Sequence, residues 1–504
     1  MSYLKNLFET VGDGYKIALI GLGRENLQFL WWLIEVAGLS SSQILLADQL
    51  DYKQLSSETL NIVEKYNFKQ NQLFLGKGYL QVLEQNNVKQ VFKSPGIWSL
   101  KPEFENFRKV NGQSSVQSSL VYFFEKYRDQ IIGITGTKGK STTSSLVTHL
   151  INKTSSKTAT YCGNSINISP YTYWTQLDQS VNSNHFFVIE ISSFQLQDLG
   201  KSQISPKYAL ITNYLIDHLD HHKDLQEYWC SKDNLFLFQK ETDFCLVGET
   251  VLQKSTRSQL IKDRVLAQET INNFKNLFSS PLLGDHNWSN LAQSLVLVEK
   301  ITGLMIPTNK NLYQQAISSY QNLPHRLELI KTVKLDNLII NFYDDGYATD
   351  PDAVVAAIKS LTQNGQYLWL QLCGKDKGSS VEELFLAILT VQQNLQLFQV
   401  DYCGEVGKAV LTTFNNTLGL KPPTEIENFK QTVQTNFVSL KDIKNKFLKW
   451  YSQKQKSVNF SEEPNLNKTF VLNIALSPGG SSFDEFDNQQ QRSEWWVRQV
   501  MNLK

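Results

Sequence analysis

The segment Ile131–Thr143 (IIGITGTKGKSTT) constrains this chain more than any other. An apolar run too short to be a helix feeds a loop with Gly136 and Gly139, and a helix-forming stretch then opens on Lys140-Ser141. Buried strand, glycine loop and helix in that order belong to parallel sheets whose faces are covered by helices. Glycines let backbone N–H groups converge on phosphate oxygens, and the helix N-terminus adds partial positive charge. Lys140 would reach the β- and γ-phosphates, and the Ser141 hydroxyl would ligate Mg²⁺. The strict pattern asks for glycine where Ile134 stands, so this loop is a shorter variant. An ordinary glycine-rich strand–helix turn is the alternative.

The same alternation recurs along the chain. Strands are expected at Lys16–Ile20, Gln43–Ala47, Gln90–Lys93, Asp129–Thr135, His185–Glu190, Tyr208–Asn213, Phe244–Val247, Leu338–Tyr343 and Tyr367–Leu372. Helices are expected at 25–36, Ser115–Tyr127, Lys140–Asn152, Leu225–Phe238 and Pro351–Leu361. The 504 residues allow about three domains at ~150 residues each. Polar breaks at Val110–Val116 and Asn322–Pro324 divide the chain into 1–113, 114–322 and 323–504, and Gln453–Asn467 reads as a surface insertion. A formal net charge of +1 excludes a protein built to coat nucleic acid. No apolar run approaches the ~18 residues of a membrane span, and Met1–Thr10 lacks a signal-peptide pattern. Five cysteines without CxxC spacing fit a reducing compartment, so a cytoplasmic protein is expected.

In sheets of this kind ligands bind beyond the carboxyl ends of strands. Glu190 ends an apolar strand, where a carboxylate either completes an Mg²⁺ site with Ser141 or is a solvated cap. The segment Thr212–His222 holds His218, His221 and His222, a transition-metal cluster or a polar loop. Lys232, ten residues on, is by itself a surface lysine. The turn Gly21-Leu22-Gly23-Arg24-Glu25-Asn26 has Asn26 where a dinucleotide fingerprint needs glycine, which argues against a redox role.

Taken together, these residues resemble the Mur ligase family. The resemblance runs in order through Gly21–Gly23, Asp48, Ser94–Ile97, Gly136–Thr142, Gly163-Asn164, Glu190–Leu196, Asp217–Asp220, Lys232, Gly284–Asn290, Leu323–Arg326, Asp345 with Thr349, Gly374–Gly378, and Ser477 through Phe486. It implies an α/β protein of three domains: a Rossmann-like UDP-binding domain, a central P-loop ATPase-like parallel-sheet domain, and a C-terminal Rossmann-like domain that binds the amino acid. The implied reaction phosphorylates a substrate carboxylate with ATP and lets an amine displace phosphate. The Glu-x-Ser-Ser-Phe-Gln-Leu string at 190–196 points to the member that adds D-glutamate to UDP-N-acetylmuramoyl-L-alanine. The alternative is a sister ligase adding another amino acid. A monomer without nucleic-acid or membrane partners is expected.

By the resemblance, Gly136, Thr137, Gly139, Lys140, Ser141 and Thr142 hold the ATP phosphates. Asn287 and Asn290 meet the adenine, and Arg326 and Asp345 hold phosphate and ribose. Ser141 and Glu190 would carry a first Mg²⁺, and His218 and a carbamylated Lys232 a second. Lys140, His218 and Lys232 are the implied catalytic groups. Asp48, Gly96 and Asn164 would touch the UDP-sugar substrate, Lys377 and Ser482 would bind the carboxylates of the amino acid, and Ser192, Gln195 and Thr349 are further implied substrate-binding residues. Several positions depart from the family's usual pattern. Lys138 stands for Asn or Ser, Gln49-Leu50 for a polar and basic pair, and Gly346-Tyr347 for Ser-Lys. Gln489 stands for an aromatic and Arg492-Ser493 for Arg-Gly.

Overall fold

A computed structural model describes residues 14–85, 87–97, 101–163, 168–173, 184–215, 224–376, 378, 380–417, 428–457, 469–483 and 485–504. The chain forms two compact units, Met1–Ser279 with Ser289–Tyr320, and Ser280–Trp288 with Gln321–Lys504. Among the described residues no helix is long and apolar enough to cross a membrane.

The first unit holds two five-stranded sheets. In the first sheet β1 (Lys16–Ile20), β2 (Ile44–Asp48), β3 (Leu73–Leu75), β4 (Val88–Lys93) and β5 (Val116–Gln117) lie in the order β3-β2-β1-β4-β5. All its pairings are parallel. The second sheet, also parallel throughout, takes β6 (Ile131–Thr135), β7 (Thr158–Cys162), β8 (His185–Glu190), β9 (Tyr208–Ile211) and β10 (Phe244–Val247) in the order β10-β9-β6-β8-β7. Strands such as β6 are apolar at nearly every position because helices cover both faces. In each sheet the strand order reverses beside one strand, β1 in the first and β6 in the second. The loops that leave these two strands therefore open into the crevices where such sheets bind ligands.

One apolar core runs through both sheets. The helix Arg24–Glu35 buries Leu27, Leu30 and Phe29 with Trp32 and Leu33, at the helical spacing of three and four. Phe29 stacks on Trp32 at 5.7 Å, meets Phe92 of β4 edge-on at 4.7 Å and lies 4.8 Å from Tyr171. Asn26 begins the same helix and donates through Nδ2 to the Ile20 and Gly21 carbonyls. A side chain thus pins the turn where a dinucleotide site would have glycine.

The second unit orders its strands β11-β12-β15-β13-β14, from β11 (Glu328–Leu335), β12 (Leu338–Asp344), β13 (Tyr367–Cys373), β14 (Leu397–Tyr402) and β15 (Phe470–Gly479). Four strands are parallel and the edge strand β11 is antiparallel to β12. Three sequence expectations change. Ser115–Tyr127 is not one helix: Val116 and Gln117 pair with Val91 and Phe92 as β5, and the helix covers only Ser119–Tyr127. Edge pairing of a β-branched residue outweighs the helical periodicity there. The expected insertion Gln453–Asn467 begins as the end of the helix Leu440–Ser457, and 458–467 lies outside the described residues. The strand expected from Leu338 is preceded by β11, whose side chains alternate between half-buried and exposed.

Buried charges fix how these elements meet. Lys93 Nζ, at the end of β4, lies 2.8 Å from Asp198 Oδ2 on the helix Ser193–Lys201, with both side chains no more than 2% exposed. This pair ties the first sheet to a helix of the second. In the other unit Asp345 follows β12. Its Oδ1 accepts from Leu327 N at 3.1 Å and its Oδ2 from the Ser477 hydroxyl at 2.8 Å. Burial pushes its carboxyl up from 3.8 to about 7.

Asp198→Ala strands the Lys93 ammonium in the core and is expected to cost about 3–5 kcal/mol, read from the denaturant midpoint; an unchanged midpoint would refute the pair's role. Between about pH 4 and pH 7 native Asp345 keeps a proton that the unfolded chain has lost, so this group's contribution to stability falls as pH rises through that window. Asp345→Asn should flatten this slope, measured as the pH dependence of amide exchange in β12 and β15.

Candidate active site

The loop that leaves β6 is held by geometry that its glycines permit. Gly136 has φ +147°, and a Cβ there would lie 1.9 Å from Thr212 Oγ1. Gly139 has φ +81°, and a Cβ there would lie 2.5 Å from Asn290 Oδ1. Any side chain at either position would push the loop off its support. The helix Lys140–Thr154 starts immediately after, so backbone N–H groups and the positive end of the helix face the loop.

The support is the segment after β9. Thr137 N donates to the Asn213 carbonyl at 3.0 Å, and Lys138 N to Asn213 Oδ1 at 2.9 Å. Asn213 Nδ2 and the Thr212 hydroxyl both donate to the Lys138 carbonyl, at 3.1 and 2.6 Å. Leu215 N completes the seam by donating to Thr137 Oγ1 at 2.9 Å. Sequence reasoning gave Thr212 and Asn213 no task. Their position just past a strand, ahead of the histidines, was the available signal.

Two lysines converge on this loop. Lys140 Nζ donates to the Gly136 and Thr137 carbonyls at 3.1 and 2.9 Å, and Lys232 Nζ donates to the same Gly136 carbonyl at 3.0 Å. Sharing one acceptor brings the two ammonium groups within about 6 Å of each other, where like charges repel. Lys232 is not the surface lysine its sequence position suggested. It is 1% exposed, on the helix Leu225–Leu237, with its Nζ 4.6 Å from the centre of the Tyr228 ring. The helix turns this residue inward against β6, which a single position in the sequence could not reveal.

Glu190 ends β8 directly opposite Ile134 of β6, so its carboxylate stands beside the start of the loop. Tyr161 of β7 donates its hydroxyl to Glu190 Oε2 at 2.7 Å. Ser141 is buried at the first turn of the following helix. A hydroxyl and a carboxylate are hard oxygen donors, the chemistry that Mg²⁺ prefers. The residues present therefore fit a magnesium ion held next to the phosphates. Thr142 is half-buried on the same helix. Beyond Glu190, Ser192 caps the helix Ser193–Lys201 and accepts from Gln195 N, while Gln195 Oε1 accepts from Ser192 N at 2.9 Å. Both candidate substrate residues are thus also parts of a helix cap.

At the reversal point of the first sheet a cavity of about 520 Å³ is lined by Gly21–Arg24, Asp48, Tyr79 and Gly96. Asp48 Oδ2 accepts from Leu22 N at 2.6 Å and its Oδ1 from Leu50 N at 2.9 Å. Asp48 shapes the cavity as well as lining it. Of the adenine candidates, Asn290 is buried against Gly139, and Asn287 donates to the Leu283 carbonyl at 2.8 Å. Asn164, His218 and Lys377 lie outside the described residues.

In the second unit Tyr347 packs flat on His325, with ring centres 5.4 Å apart, and the Arg326 guanidinium lies 5.7 Å from the Tyr347 ring centre. His325 Nδ1 meets Asp344 Oδ2 at 2.7 Å, and this hydrogen bond raises the imidazole above its ordinary range. His325, Glu328 and Asp344 bring ligand atoms within 4.8 Å of one another. Glu328 Oε2 accepts from His325 N, however, and Asp344 Oδ2 is committed to the ring, so we read the trio as a turn clamp. Thr349 is half-buried, with its N donating to the Tyr347 carbonyl. The Ser482 hydroxyl is fully buried and has no hydrogen-bond partner among the described residues.

Two departures from the family pattern are physically one. A Cβ on Gly346 would lie 1.8 Å from Ser493 Oγ, and that hydroxyl donates to Asp344 Oδ1 at 3.0 Å. Ser493 occupies the room that Gly346 leaves. Arg492 beside it is buried and donates to the Gly346 and Gly480 carbonyls.

Comparison with known proteins agrees with this geometry. Residues 134–266 match the Mur ligase middle domain, a span that contains the phosphate loop, Glu190 and Lys232. The chain is 24% identical over 497 residues to a UDP-N-acetylmuramoylalanine–D-glutamate ligase of Petrotoga mobilis, covering 95% of this chain and 98% of that one. It is 25% identical over 363 residues to the enzyme of the same name from Clostridium botulinum, covering 68% and 72%. Its fold is similar to the crystal structure of the UDP-N-acetylmuramate–alanine ligase MurC from Thermotoga maritima, with a TM-score of 0.50, 14% identity and coverage of 96% and 99%. The middle-domain match, the full-length likeness and the phosphate loop agree in making this chain similar to the Mur ligases.

Proposed function

We propose that this chain is an ATP-dependent ligase that adds D-glutamate to UDP-N-acetylmuramoyl-L-alanine, in the cytoplasm and as a monomer. The observation that carries the reading is the convergence of Lys140 and Lys232 on the Gly136 carbonyl, beside the Glu190 carboxylate. In this reading residues 1–113 bind the UDP-sugar, 114–322 the ATP and 323–504 the amino acid.

An ionised carboxylate is a poor acylating agent, because its leaving group would be oxide. Transfer of the γ-phosphoryl group to it gives an acyl phosphate. The amine of the amino acid then attacks the acyl carbon, and the tetrahedral adduct collapses with loss of phosphate. The protein's part is to position the reactants and to hold charge. The backbone N–H groups of Gly139, Lys140 and Ser141 and the Lys140 ammonium cradle the phosphates. Ser141 and Glu190 would hold a first Mg²⁺, and His218 with Lys232 a second; such ions would neutralise charge gathering on the transferred group. A protonated Lys232 would repel both a cation and Lys140. As a carbamate it would carry negative charge and oxygen ligands, which makes its placement intelligible. Arg326 contacts phosphate and Asp345 the ribose, while Lys377, Thr349 and the buried Ser482 hydroxyl meet the amino acid.

One observation favours a second reading. Tyr347, stacked on His325, stands where the family usually has lysine, so the amino-acid pocket has one cation fewer. A sister ligase adding a different amino acid would fit that change.

A panel of single amino acids with ATP and UDP-N-acetylmuramoyl-L-alanine separates the two. We expect ADP release only with the sugar nucleotide and D-glutamate together. Release without the sugar nucleotide would overturn the ligase reading, and activity with another amino acid but not D-glutamate would establish the second. Lys140→Ala is expected to lower kcat by ~10²-fold or more, as loss of a preorganised cation does. Turnover near that of the parent would refute its role.

A further inference from the structure

Glu25 has no part in the chemistry above, yet it sits at its edge. It follows the glycine turn after β1 and lines a cavity of about 140 Å³ whose wall also includes Glu190, Gln195 and Gly163. Its Oε1 accepts from the Ser119 hydroxyl at 2.8 Å, and its Oε2 accepts from Gln195 Nε2 at 3.1 Å. Burial raises its carboxyl above the usual range.

The Gln195 amide is the informative partner. Its Oε1 accepts from Ser192 N at 2.9 Å and from the Ser192 hydroxyl at 3.1 Å. That orientation points the amide NH₂ away from Ser192 and requires an acceptor there. Glu25 supplies it. A rotated amide would set NH₂ against the Ser192 N–H and its carbonyl against the Glu25 carboxylate. Ser192 follows Glu190 by two residues, at the carboxyl end of β8. One carboxylate therefore links the turn lining the first-sheet cavity to the cap that follows Glu190. The Lys93–Asp198 pair anchors the same helix farther along, while Glu25 holds its first turn through Gln195.

We propose that Glu25 is a positioning residue that sets the Gln195 amide and the Ser192 cap from the glycine turn of the first sheet, coupling sugar-nucleotide binding to the phosphate site. The coupling to substrate rests on the ligase reading above; the positioning of Gln195 does not.

Two substitutions test it. Glu25→Met keeps the volume and removes the acceptor, whereas Glu25→Gln keeps an acceptor for Gln195 while its own NH₂ turns to Ser119. Amide exchange in the full chain reads the positioning without activity. Residues 192–196 should exchange ~10-fold faster in Glu25→Met and at the parental rate in Glu25→Gln, with β6 unchanged in both. In steady-state assays Glu25→Met should raise KM for the sugar nucleotide ~10-fold and leave KM for ATP within about two-fold, while Glu25→Gln stays within about three-fold of the parent on both. Parental exchange in Glu25→Met, or equal damage in both variants, would overturn the proposal. So would a parental sugar-nucleotide KM alongside faster exchange, which would leave only a scaffold. If the parent released no ADP with its expected substrates, the ligase reading would fall while the exchange result still decided the role of Glu25.

Discussion

The seam between the phosphate loop and the segment after β9 is the interaction on which the first unit's chemistry depends. A glycine loop alone is floppy, and its N–H groups bind phosphate well only if they already point the right way. Here Thr212, Asn213 and Leu215 share six hydrogen bonds with Thr137 and Lys138. These bonds fix the loop from the neighbouring strand, and the Lys140 ammonium ties it from within. The same contact explains why Gly136 has no room for a side chain, since the Thr212 hydroxyl occupies that space.

Around that seam the sheet order does the placing. β6 lies between β9 and β8, so its loop meets the Thr212–Leu215 support on one side and Glu190 on the other. The first sheet repeats the arrangement, with its cavity where β1 separates β2 from β4. In both sheets a buried polar residue stiffens the exit from the pivotal strand: Asn26 after β1, and Thr135 of β6 itself, whose hydroxyl donates to the Ile191 carbonyl at 2.7 Å. Each of these side chains donates to backbone carbonyls, so both exits are held by main-chain acceptors.

Much of this was legible in the sequence, and the illegible parts share a cause. Strands such as His185–Glu190 and Phe244–Val247 announce themselves as short apolar runs, and both are observed with the bounds expected. The phosphate loop was visible because its glycines, lysine and hydroxyl are contiguous. What stayed hidden were properties created by distant segments meeting. Lys232 looks exposed until its helix is packed on β6. Asn213 looks like loop polarity until Lys138 is brought beside it. Glu25 needs Ser119 and Gln195, 94 and 170 residues away. β11 was missed because its alternating, half-exposed pattern lacks the apolar run that marks a buried strand.

The exchange of Gly346 and Ser493 has a consequence for how such a chain can change. The family's usual arrangement places the hydroxyl on the first of these positions and the bare backbone on the second. Starting from this chain, restoring Ser at 346 first would drive its Cβ into Ser493 Oγ, whereas restoring Gly at 493 first leaves only a small void, since Asp344 Oδ1 still accepts from Gly346 N. The path between the two states is therefore ordered: the void must come before the filling. A segment graft that carried one of these positions without the other would inherit either the collision or the hole.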